Sequence, residues 1–131
     1  MLLMADVFTG SVFQNSSVIV MARIKAASGA YLVQSDLTSI SMEIWRIYGD
    51  SREPGRTAGP TAVTVASAVY NTLQTGGLWE ADDTGYNFLY ECPNSGFNDE
   101  GVFRVEIRFT PTSGQSFVVK WEVTASRTLV S

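Results

Sequence analysis

The chain contains no histidine and a single cysteine, Cys92. Histidine is the usual general base near neutral pH and the commonest metal ligand, so its absence argues against most hydrolytic and transition-metal sites. One cysteine cannot form an internal disulfide, so we expect a fold that does not depend on an oxidising compartment. Both absences favour a protein that is not an enzyme.

Charge and long apolar segments are also scarce. Charged residues make up 17% of the 131 residues, below the roughly 25% of an average soluble domain. The net charge of −4 gives no electrostatic basis for binding nucleic acid or anionic lipid, so neither nucleic acid nor a membrane is expected as a partner. No segment approaches the roughly 20 apolar residues of a membrane span, and residues 1–6 lack the basic start of a signal peptide. We expect a complete, soluble chain made in a cytoplasm.

The last third of the chain shows a clear period of two. Apolar and polar residues alternate through 103–109 and 117–123, on either side of a Thr-Ser-Gly turn at 112–114. A three-residue loop with Gly114 in the left-handed conformation fixes the register of a β-hairpin. The inward pairs are then Phe109 with Phe117, Ile107 with Val119, Val105 with Trp121, and Phe103 with Val123. The same register places opposite charges together on the outer face: Glu106 with Lys120, and Arg104 with Glu122.

A hairpin with one apolar face and one charged face needs a second sheet to cover it. The sequence therefore predicts an all-β fold, an antiparallel β-sandwich of immunoglobulin-like or jelly-roll topology with at most one short helix. At 14.3 kDa the chain has the size of one domain. We divide it into an N-terminal strand or arm at residues 1–13, able to reach a neighbouring molecule, and a single sandwich domain at residues 14–131.

Four further segments complete the prediction. Residues 17–24 form a strand that is apolar on both faces, which favours a central or subunit-covered position, and residues 40–48 form a strand expected to contribute to the core. Residues 49–60 hold three glycines and two prolines, and this long loop is the first candidate for contact with a partner. Helical spacing of apolar residues predicts a short helix at 66–73.

Two sets of residues resemble known families. Gly101-Val102-Phe103-Arg104-Val105-Glu106-Ile107, followed by Ser113-Gly114, resembles the closing hairpin of immunoglobulin-like sandwiches. Asp83-Thr84-Gly85-Tyr86 is similar to their tyrosine corner, although its spacing is shorter and the paired cysteine of antibody domains is missing. Residues 32–40 and 79–88 are similar to small virion proteins of tailed bacteriophages, which include capsid cement proteins and N-terminal domains of baseplate proteins.

The phage resemblance implies a function. Cement proteins of this size are β-rich, often trimeric, and bind the major capsid protein at the capsid surface, where many symmetric contacts give avidity without a catalytic group. The resemblance therefore implies a non-enzymatic capsid decoration protein of the virion that stabilises the head as a homo-oligomer, with a trimer favoured. The alternatives are a tail or baseplate module and a carbohydrate-binding adhesion module.

No catalytic, cofactor or metal site is predicted. Glu80, Asp82 and Asp83 carry ligands that calcium prefers, but their spacing does not match an EF-hand, which favours a solvated turn. Cys92 has no histidine to activate it and is predicted to be buried. The serines at 11 and 113 lie outside any nucleophile-elbow pattern.

The three tryptophans are candidates for a sugar-stacking platform. Trp121 is assigned inward by the hairpin register, and Trp45 lies in the apolar strand expected in the core. Trp79 is flanked by turn and acidic residues, so it is the candidate for glycan binding. Aromatic residues at period two usually pack in a core, which makes sugar binding the alternative rather than the leading prediction.

Overall fold

The computed structural model describes residues 8–13, 15–26, 28–47, 55–75, 86–97 and 100–126. Within these ranges the chain is almost entirely β-structure, with one single-turn helix and short 3-10 turns at Gln34–Asp36 and Asn94–Phe97. The elements are β1 (Phe8–Phe13), β2 (Val18–Ala22), β3 (Leu37–Ile47), β4 (Gly55–Val63), α1 (Val65–Ala68), β5 (Val69–Gln74), β6 (Tyr86–Cys92), β7 (Gly101–Pro111) and β8 (Phe117–Ser126). The predicted all-β sandwich is confirmed. The helix found in these ranges has four residues and is too short to cross a membrane.

The strands form two sheets. The large sheet has the order β1-β8-β7-β3-β4, and the small sheet has the order β2-β6-β5. Every neighbouring pair is antiparallel except β1 and β8, which run parallel. This strand order can be compared with that of a variable-type immunoglobulin sandwich. In the large sheet, β3 corresponds to strand C, β4 to C′, β7 to F and β8 to G. In the small sheet, β2 corresponds to strand B, β5 to D and β6 to E. Of the two predicted topologies, the strand order matches the immunoglobulin-like one.

The β7–β8 hairpin has the register that the alternation predicts. Phe103 pairs with Val123, Val105 with Trp121, Ile107 with Val119 and Phe109 with Phe117, while Arg104 pairs with Glu122 and Glu106 with Lys120. Gly114 has the expected positive φ, at 101°. The connection is longer than predicted, since five residues, 112–116, separate the two strands.

The core lies between the inner faces of the two sheets and is built around aromatic rings. The Phe88 ring of β6 contacts Phe109 edge-on, with centroids 5.0 Å apart, and stacks against Trp121 at 6.1 Å. Trp121 is 3% exposed, as predicted, and its Nε1 donates a hydrogen bond of 3.1 Å to the Met21 carbonyl. This bond ties β8 of the large sheet to β2 of the small one.

Part of the predicted contact loop is an edge strand. Residues 55–60 belong to β4, which pairs with β3 through register shifts near Ile44, whereas residues 49–54 lie outside the described residues. The close pairing of β4 with β3 requires glycine at position 59. Its φ is +86°, and a Cβ there would lie 2.2 Å from the Met42 carbonyl oxygen. Pro60, which follows a cis peptide bond, is tolerated because an edge strand leaves one side of its backbone unpaired.

Three other sequence predictions need correction. The helix expected at 66–73 covers only Val65–Ala68, because Val69 pairs with Phe88 and continues the chain as β5. The strand at 17–24 is not central among the described strands, since β2 lies at the edge of the small sheet, while its alternative, a cover by another subunit, stays a prediction. Tyr86 opens β6, which takes the E position rather than F, so its interpretation as a tyrosine corner is wrong.

Asn87 of β6 is a buried polar side chain that binds the backbone of the segment between β2 and β3. It lies on the opposite side of β6 from Phe88, yet it is 1% exposed. Its Oδ1 accepts a hydrogen bond of 2.7 Å from the Ile24 N–H, and its Nδ2 donates to the carbonyls of Ile24 at 3.0 Å and Leu32 at 2.9 Å. The amide thus holds together Ile24 and Leu32, which flank the turn between β2 and β3.

Candidate functional site

The three tryptophans that the sequence analysis considered differ in their location. Trp121 is in the core, as predicted. The strand that holds Trp45 contributes Ile40, Met42 and Ile44 to the core, as expected, but Trp45 itself is half-buried on the outer face of the large sheet. Trp79 lies outside the described residues, as do Glu80, Asp82 and Asp83. The sugar and calcium hypotheses at those four positions therefore stay predictions.

Cys92 is buried, as predicted. It is fully inaccessible at the end of β6, and burial, together with the nearby Glu91 charge, raises the pKa of its thiol to about 12. The thiolate is the nucleophilic and metal-binding form, so at neutral pH this side chain acts as a small apolar group.

The N-terminal segment contributes a strand to the large sheet. Phe8–Phe13 pairs in parallel with β8, from Phe8 opposite Trp121 to Phe13 opposite Ser126. Residues 1–7 lie outside the described residues. The part of the arm that is described therefore pairs within its own chain.

Trp45 is the centre of a group of side chains on the outer face of the large sheet. β3 alternates, so Ile44 points into the core while Glu43 and Trp45 point outward. The register places Trp45 opposite Arg56 of β4 on one side and Arg104 of β7 on the other. We call Glu43, Trp45, Arg56, Arg104 and Glu122 the Trp45 face.

Hydrogen bonds order the Trp45 face. Glu43 accepts two of them, from Arg56 Nη1 at 3.2 Å and from Trp45 Nε1 at 3.2 Å. The Arg56 guanidinium carbon also lies 5.8 Å from the centroid of the Trp45 ring, within cation–π range. On the other side of the indole, Arg104 Nη2 donates to Glu122 Oε2 at 3.0 Å.

These contacts determine what the Trp45 face can do chemically. Each arginine is paired with a glutamate, so the face carries paired charges around one indole. Tryptophan and arginine are the residues that most often dominate binding at protein interfaces. The Trp45 face is therefore suited to contact another protein surface.

Sequence reasoning found only part of this face. The pairing of Arg104 with Glu122 followed from the hairpin register, but the contacts of Arg56 with Glu43 and Trp45 were missed because residues 55–60 were predicted to be a loop. The alternation of Ser41, Glu43 and Trp45 with buried Met42 and Ile44 was the available signal that Trp45 points outward.

A metal centre finds no support in the described ranges, where no three or more Cys, Asp or Glu side chains are grouped to hold an ion. No protein-family model matches the chain, and no curated protein is similar to it in sequence.

Proposed function

We propose that this chain is a non-enzymatic structural protein of a bacteriophage particle, a capsid decoration protein that binds the major capsid protein and stabilises the head. The observation that carries the proposal is the Trp45 face, in which a half-buried indole lies between two arginine–glutamate pairs on a rigid sheet. The class of partner is taken from the resemblance in pattern of residues 32–40 and 79–88 to small virion proteins.

The physical requirements of such a protein are met by a sandwich of this kind. A decoration protein needs modest affinity at each contact, because many symmetric copies multiply it into strong total binding. A trimer would place three Trp45 faces around one symmetry axis of the capsid. Pre-ordered side chains reduce the entropy lost on binding, and the hydrogen bonds of Glu43 hold Trp45 and Arg56 in place before contact.

The test is co-sedimentation of the purified chain with empty heads of the particle whose genome encodes it. We expect hundreds of bound copies per head, and we expect Trp45→Ala to reduce binding at least tenfold, as for a central aromatic residue of an interface (about 1.4 kcal/mol or more). Tyr31→Ala is the matched control, because Tyr31 is an exposed aromatic residue outside the Trp45 face, at 37% exposure. Far-UV circular dichroism checks that both variants fold.

Two outcomes would contradict the proposal. A copy number of only a few per purified particle would identify a tail or baseplate component instead of a decoration protein. Equal binding of Trp45→Ala and Tyr31→Ala to heads would show that the Trp45 face is not the contact surface.

A further inference from the structure

We propose that an open groove between β4 and the end of β6, with both apolar and polar lining residues, binds a neutral saccharide. This groove has a volume of about 630 Å³ and lies away from the Trp45 face. Its polar lining consists of Asn15, Ser17, Thr61, Tyr90, Glu91 and Asn94. We call it the β4/β6 groove.

The groove exists because β5 covers only the first part of β6. The two strands pair at Val69 with Phe88 and at Gln74 with Tyr86. Beyond Phe88, the described part of the chain places no strand on this side of β6, although β2 continues to pair on the other side as far as Cys92. The resulting gap has a volume within the range of about 300–1,000 Å³ that is typical of small-molecule sites.

The lining matches a ligand rich in hydroxyl groups. The amides of Asn15 and Asn94 and the hydroxyls of Ser17 and Thr61 can each donate and accept hydrogen bonds. All four side chains are exposed to solvent, so a ligand in the groove can reach them. The lining contains Glu91 but no lysine or arginine, which disfavours phosphate and other anions.

Tyr90 adds an aromatic surface. Its ring packs against the core on one side and lines the groove on the other. An aromatic ring of this kind offers an apolar body to a sugar ring and a hydroxyl to its polar groups. Burial raises the pKa of Tyr90, so its hydroxyl remains a donor at neutral pH.

Both asparagines lie on turns that are already fixed. Asn15 has a φ of 63°, and its N–H donates to the Phe97 carbonyl at 2.7 Å. Asn94 begins the 3-10 turn Asn94–Phe97, which is tied to β4 by a hydrogen bond of 2.8 Å from Thr57 Oγ1 to the Gly96 carbonyl. A ligand therefore meets amides whose backbone is ordered before binding, which lowers the entropic cost.

The experiment is an NMR titration of the ¹⁵N-labelled full chain. The probes are glucose, galactose, N-acetylglucosamine and disaccharides of each at millimolar concentration, with inorganic phosphate and an unstructured peptide as comparators. We expect at least one saccharide to shift the amides of residues 15–17, 61 and 90–94. Asn94→Ala and Thr61→Ala should each weaken that binding about tenfold, as expected for the loss of one well-placed hydrogen bond.

Thr124→Ala is the control, because Thr124 is an exposed residue of β8, which β7 and β3 separate from β4, and it does not line the groove. It should bind the saccharide as the unmodified chain does, and the dispersed spectrum of each variant shows that it is folded. The proposal is overturned if no saccharide shifts these amides, if phosphate or the peptide shifts them instead, or if Asn94→Ala binds as tightly as Thr124→Ala.

Discussion

The strand pairing of the two sheets is determined by different features of the sequence. The large sheet contains strands of 10 and 11 residues, and β7 and β8 keep one unbroken register over nine pairs. The small sheet has strands of five to seven residues, and β5 pairs with β6 at only two positions. Alternating side chains are sufficient to align long strands, whereas short strands depend on individual polar anchors.

Asn87 and Gln34 are the anchors of the small sheet. Asn87 binds the backbone of Ile24 and Leu32, which flank the turn between β2 and β3. Gln34 binds the start of β5, since its Nε2 donates to the Val69 carbonyl at 2.8 Å and its N–H donates to Asn71 Oδ1 at 2.8 Å. The comparison between the sheets therefore predicts that single polar changes harm the small sheet most.

The largest effect is expected from Asn87→Ala. The substitution leaves the Ile24 N–H and the Leu32 carbonyl without the partner they have in a buried site, while the Ile24 carbonyl keeps its hydrogen bond from the Leu32 N–H, so we expect the free energy of unfolding to fall by about 4 kcal/mol. Urea denaturation measures this loss, and hydrogen exchange should show the Ile24 amide opening before the large sheet. Asn71→Ala, which removes one exposed hydrogen bond, should cost about 1 kcal/mol. Equal losses in the two variants would contradict the anchor role.

In the large sheet, Gly59→Ala should have the strongest effect. Its new Cβ would meet the Met42 carbonyl oxygen at 2.2 Å in a left-handed conformation, so we expect a loss of about 3 kcal/mol. Gly55→Ala in the same strand meets nothing within 4 Å and should change stability by less than about 0.5 kcal/mol. Gly114→Ala has open space but a φ of +101°, so it should lie between them, and any other ranking in thermal unfolding would disprove this account.

Alkaline pH should weaken the small sheet through Cys92. Its folded pKa is raised from 9.0 to about 12, so the thiol is protonated in both states below pH 9 and contributes no pH dependence there. Between these two values the unfolded chain ionises while the folded chain does not, and the free energy of unfolding falls by about 1.4 kcal/mol per pH unit. Denaturation at a series of pH values should show this slope reduced in Cys92→Ala, and identical slopes would refute it.

The smallest effect is expected from the pair of Arg104 and Glu122 on the large sheet. Both side chains are partly exposed, so a double-mutant cycle with alanine should give a coupling free energy of about 0.5 kcal/mol that decreases at high salt. A coupling above about 2 kcal/mol would mean that this surface pair stabilises the sheet as strongly as a buried contact.

The same contrast explains which parts of the fold were predictable. The β7–β8 register followed from two independent patterns, the apolar alternation and the cross-strand charges, and the structure has that register. β5 was predicted as a helix because Val69, Tyr70 and Leu73 also fit helical spacing, and short apolar runs do not distinguish the two structures. Nothing periodic marks Asn87, whose role depends on residues more than 50 positions away in the chain.

The candidate sites were predictable to a lesser extent. The burial of Cys92 and Trp121 followed from the sequence, but the Trp45 face requires knowing that β4 is a strand. The β4/β6 groove arises because β5 begins opposite Phe88 and does not extend along the rest of β6, and the hydrophobic periodicity of the sequence does not predict such a gap. Both features depend on how strands are placed relative to one another rather than on the pattern within any one strand.

The parallel pairing of β1 with β8 has a mechanical consequence. Tension applied through Phe8 and Ser126 pulls these neighbouring strands in opposite directions along their common axis. The six register pairs between them are then loaded in shear and must break together, whereas an antiparallel pair pulled from adjacent ends would unzip one pair at a time. The sandwich is therefore built to resist stretching along its strands.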